Sequence, residues 1–387
     1  MPLNPTAVRQ GKQDGRPVIG CFPLYPPLEL FHSLGLAPVI LWDLKSGMHG
    51  TRESDRHLQT YACSVARYLV QWLLAGDGPP CDALFLYNAC DTLRNLPEII
   101  STGLLEKGKS IPILRLHIPA TNLASAGSAL YFQQRIATLI QELQERFSVR
   151  FSAAAFRESI RKYGELRQRH RRIATGVARG RIDFDTFAQL CCSGRHLPDD
   201  DHLERLDGLL RSLETASPAD VGATGEPRVM LSGILPPAGA LTRRMEKAGL
   251  RIVADDIAAL GRAHASQPEP TDDPAAYYRE LVSRHISCPT LLPAADRRIP
   301  RLLAEIHSRS VEGLIWIGEK YCEYEYFEIP WLEKRLKEIG VPLLQLECGL
   351  DDRDNIGPLE TRIDAFAELL RQRRTYARPQ EESWRLS

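Results

Sequence analysis

Nine cysteines are the residues of this sequence with the clearest potential for chemistry. Cys63 stands at the start of an amphipathic helical pattern, where aligned backbone amides favour a thiolate, and Cys288 precedes a proline, as is typical of a loop start. Four more close, or soon follow, short apolar runs typical of buried strands, and these are Cys21, Cys90, Cys322 and Cys348. The six cysteines form two sets of three, one set in each half of the chain.

The spacing of these cysteines suits an iron–sulfur cluster better than zinc. Structural zinc sites usually contain close Cys-x-x-Cys pairs, and the sequence has none. The ligands of an iron–sulfur cluster need only be close in space, and cysteine is their usual type. The same spacing leaves open a second interpretation, in which most of the cysteines are small buried hydrophobic residues. Cys81, Cys191 and Cys192 fit that second interpretation well.

Eight short apolar runs predict the strands that would position the cysteines. They are apolar without alternation, which is typical of sheets covered on both faces. The predicted strands are 17–21, 37–42, 83–87, 111–116, 228–234, 251–254, 313–317 and 342–347. Amphipathic helical segments lie between them, most clearly at 27–36, 60–74, 241–248, 298–308 and 331–339.

This alternation of strands and helices predicts parallel sheets with right-handed crossovers. The expected fold class is α/β, with two Rossmann-like (flavodoxin-like) parallel-sheet domains and a helical connection. We place the first domain at 1–150, the helical connection and a linker at 151–227, and the second domain at 228–387; the linker itself, 214–227, is rich in Ala, Gly, Pro and Thr. Ligands of such sheets bind beyond the carboxyl ends of the strands, so the cysteines would converge in the cleft between the domains.

Composition narrows the class of protein. A chain of 387 residues, 43% of them hydrophobic and 25% charged, is typical of a globular protein with two ordinary domains. Its 49 basic and 49 acidic residues cancel, which argues against binding to nucleic acid or to an acidic membrane surface. The sequence shows no membrane-spanning run and no signal peptide, so we expect a cytoplasmic protein whose cysteines are free, metal-bound or catalytic.

Four blocks, in order along nearly the whole chain, resemble the 2-hydroxyacyl-CoA dehydratase and benzoyl-CoA reductase family. The first is GCFPLYPPLELFHSLGLAPV, in which a cysteine after a strand is followed by a helix start and a helix-ending glycine. The second joins ACSVARYLVQWL to CDALFLYNACDTLRNLPEI. The third is GLIWIGEKYCEYEYFEIPWLEKRLKEIGVPLLQLE, and the last is TRIDAF at 361–366.

The resemblance implies a [4Fe-4S] cluster bound by three cysteines, with one iron left open to water or substrate. By motif these ligands are Cys21, Cys90 and Cys322. A related branch, the double-cubane cluster proteins, binds a larger [8Fe-9S] cluster with more cysteines. In that branch the additional ligands here would be Cys63, Cys288 and Cys348.

The resemblance also implies radical chemistry on an acyl-CoA. A low-potential electron enters the thioester carbonyl and the resulting ketyl radical expels the neighbouring hydroxyl, or the electron enters an aromatic ring in the reductases. A separate ATP-hydrolysing iron–sulfur activator supplies the electron, and the protein works with a homologous second chain or with itself as a dimer. Glu29, near the start of a predicted helix, is expected either to act as a catalytic polar group in the cleft or to favour that helix start.

Three other functions stay open at this point. The chain could be a double-cubane protein that reduces small molecules as a homodimer. It could be a non-catalytic cluster carrier, which would bind iron without turning over an acyl-CoA. It could also be a metal-free binding protein with two Rossmann-like lobes. Iron and sulfide counts separate these functions, because about four iron per chain indicate a single cubane and about eight a double one.

Overall fold

The architecture comes from a computed structural model of the chain. It describes residues 15–382, apart from 43, 45–47, 49, 77–80, 122, 193–196, 216–224, 287, 292–296 and 355. Most of the predicted linker at 214–227 therefore lies outside the described residues.

The first domain is built on a four-stranded parallel sheet with the strand order β2-β1-β3-β4. Its strands are β1 (Val18–Phe22), β2 (Ala37–Ile40), β3 (Ala83–Tyr87) and β4 (Ile113–Leu116). The connecting helices are α1 (Leu28–Ser33), α2 (Ser64–Ala75) and α3 (Asp91–Glu106). β1, β2 and β3 are buried along their whole length, as continuous apolar runs between two helical layers should be.

A helical connection follows the first sheet. It contains α4 (Ala126–Phe147), α5 (Ala153–Ala178), α6 (Phe184–Cys192) and α7 (Asp200–Thr215). α5 joins the two domains because its two halves pack in different cores. Phe156 and Ile160 belong to the core of the first domain, whereas Tyr163, Leu166 and Ile173 belong to that of the second.

The second domain repeats the topology of the first, with the parallel strand order β6-β5-β7-β8. Its strands are β5 (Arg228–Gly233), β6 (Arg251–Ile257), β7 (Gly313–Gly318) and β8 (Leu343–Glu347). Its helices are α8 (Gly239–Lys247), α9 (Pro274–Glu280), α10 (Arg298–Ser308), α11 (Glu323–Glu338) and α12 (Gly357–Glu382). Short π-helical segments lie at Ala258–Arg262 and Leu281–His285, and 3₁₀ segments at Ser54–Arg56 and Leu350–Asp354.

The predicted α/β class with two parallel sheets is confirmed, and each predicted strand overlaps an observed one. One segment of the second half packs against the first domain, because α9 and described residues up to Leu291 contribute to the core of the first domain. Tyr277, Tyr278 and Cys288 belong to that core. Among the described residues, none of the helices combines the length and the apolar character needed to cross a bilayer.

Candidate functional site

Three cysteines stand immediately before the first residue of a helix. Cys63 is the N-cap of α2, Cys90 that of α3 and Cys322 that of α11. Cys90 follows β3 and Cys322 follows β7, which are equivalent strands of the two sheets. In both sheets this strand lies beside the first strand of its domain, at the point where the strand order reverses. Ligands of open α/β sheets bind at such points.

These three residues, here named the interdomain cysteines, come together where the domains meet. Burial is the main cause that raises the pKa of each thiol, to about 12 for Cys63. The thiol of Cys63 also interacts electrostatically with Cys90, and that of Cys322 interacts with both. Such interactions decline with distance. Cys63 and Cys90 of the first domain therefore form one group with Cys322 of the second.

The helix starts oppose the effect of burial on these thiols. For Cys63 and Cys90, the backbone amides two and three residues further along lower the thiol pKa, and for Cys322 the amide three residues further along does so. The amides at these three helix N-termini therefore lie near the sulfurs and favour negative charge on them, although none of the three side chains makes a cap hydrogen bond. The arrangement suits thiolates that are bound to metal and carry negative charge.

The sulfurs of the interdomain cysteines do not lie close enough together to hold one metal ion as a set of three. Among the described residues, the groups of three ligand atoms that all lie within 4.8 Å of one another do not include these sulfurs. A cubane binds each thiolate at a different iron, so its ligands lie farther apart than the ligands of one ion. Cysteines are also the standard ligands of such clusters.

Cys21, the third member of the expected set, lies inside β1, and the interactions described for its thiol involve neither Cys90 nor Cys322. β1 extends one residue past Cys21, so this residue is still paired in the sheet, opposite Ile40 and Phe85. Its side chain is fully buried, and its Sγ contacts the carbonyl oxygen of Ile19 at 3.4 Å. Burial, followed by the nearby thiol of Cys81, raises its pKa. The thiol of Cys63, by contrast, interacts electrostatically with both Cys90 and Cys322.

Cys288 lies in the core of the first domain, next to a buried arginine. The Nη1 of Arg262 donates to its Sγ at 3.3 Å, and its Sγ lies 3.1 Å from the hydroxyl of Thr290. The buried hydroxyls of Tyr25 and Tyr87 interact electrostatically with the same sulfur. The sulfur of Cys288 is thus surrounded by hydrogen-bonding side chains.

Cys348 directly follows β8 and lies beside the interdomain group. Its thiol and that of Cys322 both contribute to the raised pKa of Tyr326, although burial and Glu347 contribute more. Cys348 also lines a small pocket of about 20 Å³ together with Glu319, which is room for about one water molecule. Cys348 therefore lies near Cys322, through the neighbour Tyr326 that both thiols affect.

Glu29 lies in a closed polar network of the interior rather than with the cysteines. Its Oε1 accepts a hydrogen bond from Nη2 of Arg167 at 2.6 Å and one from the hydroxyl of Tyr277 at 3.0 Å. Its Oε2 accepts from the hydroxyl of Tyr278 at 3.1 Å. The carboxylate is fully buried and faces α5 and α9. Glu29 does stand in the first turn of α1, but its buried pairing with Arg167 was not expected from the sequence.

Contacts beside Cys63 hold the two domains together. The amide and hydroxyl of Ser64 donate to Glu319 of the second domain, at 3.0 and 2.5 Å. The same hydroxyl accepts a hydrogen bond from the amide of Leu350 at 2.7 Å. Arg67, one turn further along α2, forms an ion pair with Asp351 at 3.2 Å. Buried hydrogen bonds at Ser64 and a more exposed ion pair at Arg67 therefore fasten the start of α2 to the second domain.

A buried ion network supports Cys322 from the other side. Glu325, three residues after Cys322, is fully buried, and its Oε1 accepts from Nη2 of Arg262 at 2.9 Å. Asp256 and Arg298, 3.0 Å apart, continue the network. These contacts were not predicted, because charged residues are usually exposed and the partners lie far apart in the chain, as Ser64 and Glu319 do.

One stretch matches a nucleotide-binding pattern in letters alone. GLLEKGKS at 103–110 fits GxxxxGK[ST], but a phosphate loop must follow a strand and open a helix. Here the stretch ends α3 and leads towards β4, and the Nζ of Lys109 donates to the carbonyl oxygen of Gly76. The context excludes a phosphate loop at this place.

Comparison with known proteins agrees with this architecture. A family model described as "2-hydroxyglutaryl-CoA dehydratase, D-component" matches residues 23–370. The beta subunit of (R)-phenyllactyl-CoA dehydratase from Clostridium sporogenes is 22% identical over 365 residues, which cover 93% of each chain. The beta subunit of (R)-2-hydroxyglutaryl-CoA dehydratase from Acidaminococcus fermentans is 25% identical, over 94% of this chain and 95% of the relative.

A benzoyl-CoA reductase subunit from Thauera aromatica is 24% identical, over 95% of each chain. The relatives are thus subunits of acyl-CoA dehydratases and of an acyl-CoA reductase, and they match this chain over nearly its whole length. The chain belongs to the 2-hydroxyglutaryl-CoA dehydratase D-component family.

Proposed function

We propose that this chain is the iron–sulfur subunit of an acyl-CoA dehydratase or reductase, and that Cys63, Cys90 and Cys322 bind its [4Fe-4S] cluster. The observation that carries the proposal is the convergence of three N-cap cysteines from both domains. When bound, the cluster would supply one-electron transfer and an iron with a free coordination position.

The chain itself would contribute three things to this chemistry. The helix N-termini of α2, α3 and α11 would stabilise the thiolates and the negative charge that the cluster carries. The interdomain cysteines are partly buried, which would limit access of water to a reactive radical. The Ser64–Glu319 contact would keep the ligands of the two domains in register.

The proposed partners follow from the relatives, all of which are named as subunits. We expect a related second chain, or a second copy of this one, to complete the enzyme. An ATP-hydrolysing iron–sulfur activator would deliver the electron, and the assembly would work in the cytoplasm.

A double-cubane cluster is the second candidate, and the position of Cys348 favours it. Cys348 lies near Cys322, since both affect Tyr326. Two features favour the smaller cluster. Cys288 accepts a hydrogen bond from Arg262 and contacts the hydroxyl of Thr290, and Cys21 is paired inside β1. In either case the same three cysteines would be ligands.

Iron and sulfide analysis of anaerobically purified protein, with electron paramagnetic resonance, tests the proposal. About four iron and four sulfide per chain support the single cubane, and about eight iron support the double cubane. Turnover of an acyl-CoA in the presence of an activator, ATP and a reductant separates the enzyme from a cluster carrier. Colourless protein after cluster reconstitution would refute all three cluster functions.

A further inference from the structure

A second group of ligand-type side chains lies between the helical connection and the second domain. His170 on α5, Cys191 on α6 and His264 after β6 each offer one ligand atom, and these atoms all lie within 4.8 Å of one another. Only 3% of His170 and of Cys191 is exposed, and 9% of His264. Residues from three separate elements therefore meet at one buried place.

The distance between the two histidine nitrogens in this group fits a tetrahedral zinc ion. A ring nitrogen of His170 lies 3.2 Å from a ring nitrogen of His264. Two nitrogens at about 2.0 Å from one tetrahedral zinc would be about 3.3 Å apart, and a thiolate at about 2.3 Å would lie about 3.5 Å from each of them. A shift of roughly 1 Å, within reach of a rotation of the Cys191 side chain, would therefore bring the sulfur into coordination distance.

The surroundings offer a fourth ligand and hold the first three in place. Asp255 interacts with the thiol of Cys191, and its Oδ1 accepts from the amide of Gly261 at 2.7 Å. Asp255 also lines a cavity of about 700 Å³, from which water could reach the group. Nη1 of Arg171 donates to the carbonyl oxygen of His264 at 2.8 Å, which fastens this segment to α5.

We propose that His170, Cys191 and His264 bind one zinc ion, which joins α5 and α6 to the sheet of the second domain. Two imidazoles and a thiolate are a borderline-soft ligand set of the kind that zinc prefers. The group shares no residue with the interdomain cysteines, so the zinc site does not depend on the proposed function. It also gives Cys191 a role other than that of a small buried hydrophobic residue.

Zinc content and zinc K-edge X-ray absorption of the full chain test this site. The protein is purified without oxygen and its iron content is measured. It is then incubated with zinc and dialysed to remove unbound metal. We expect about one zinc per chain, with one sulfur at about 2.3 Å and two or three nitrogen or oxygen atoms at about 2.0–2.1 Å. Zinc below about a tenth per chain, or a shell with two or more sulfurs, would overturn the proposal.

Variants locate the ion. Cys191→Ser and His264→Gln should each lower bound zinc at least about tenfold, whereas Cys81→Ser, at another buried cysteine, should leave it unchanged. Loss of zinc in Cys90→Ser but not in Cys191→Ser would place the ion among the interdomain cysteines and contradict the proposal. The absorption spectrum of the wild-type chain decides the matter even where a variant does not fold.

Discussion

Replacement of Glu29 by Gln should destabilise the protein strongly without changing its cluster. The change removes the charge that pairs with Arg167, whose side chain is only 9% exposed. It also leaves the hydroxyls of Tyr277 and Tyr278 with a neutral acceptor. An unpaired buried charge costs about 3–5 kcal/mol, which is a large part of the roughly 5–15 kcal/mol by which proteins of this kind are typically stable. The expected loss is therefore at least about 3 kcal/mol.

Urea unfolding followed by circular dichroism measures this loss, and iron per folded chain is the accompanying control. Arg167→Met should also destabilise, while the double variant should lose less than the sum of the two single losses, because the two charges are removed together. A loss below about 1 kcal/mol for Glu29→Gln would refute the assignment of a buried ion pair. A fall in turnover with stability unchanged would instead indicate the catalytic role.

Three further changes test other contacts. Ser64→Ala should lower the free energy of unfolding by about 1–3 kcal/mol, because the Ser64 hydroxyl bonds to Glu319. The loosened contact between the domains should appear as faster hydrogen exchange in α2, and unchanged exchange would contradict this. Arg262→Met should lower the urea midpoint by an amount that corresponds to about 3 kcal/mol, since it leaves the buried Glu325 without its partner; a midpoint equal to that of the wild type would be the contrary result. Burial, followed by two nearby cations, lowers the pKa of His32 to about 4. Between pH 6.5 and 4 the unfolded chain therefore binds one more proton than the folded chain, and stability falls as the pH falls through that window. His32→Gln should remove about 1–2 kcal/mol of that pH dependence, after allowance for partial exposure, and identical pH profiles would count against it.

The sheets were predictable because their strands are short continuous apolar runs between amphipathic segments. The run at 83–87 coincides with β3, and the run at 313–317 is one residue shorter than β7. Such runs indicate which short segments are buried, and this can be seen from neighbouring residues in the sequence. The packing of α9 in the first core was not predictable, since it depends on contacts such as that between Tyr278 and the amide of Leu30, 248 positions away.

The candidate site was predictable in part. Cys90 and Cys322 follow strands by a few residues, so their place beyond the sheet edge follows from the strand ends. The sequence could not decide which of Cys21 and Cys63 is the better candidate ligand. β1 continues one residue past Cys21 and keeps it paired in the sheet, whereas Cys63 lies outside the sheet at a helix start. The group of His170, Cys191 and His264 was missed because nothing in the sequence links three positions so far apart.

The most direct test of the account compares bound iron in Cys63→Ser and Cys21→Ser, both reconstituted and purified without oxygen. Cys63→Ser should lose most of its iron, as Cys90→Ser and Cys322→Ser should, because it removes one of three thiolates. Cys21→Ser should keep the iron content of the wild type, since Cys21 is paired in β1 beside Cys81. Full iron in Cys63→Ser together with iron loss in Cys21→Ser would contradict the account.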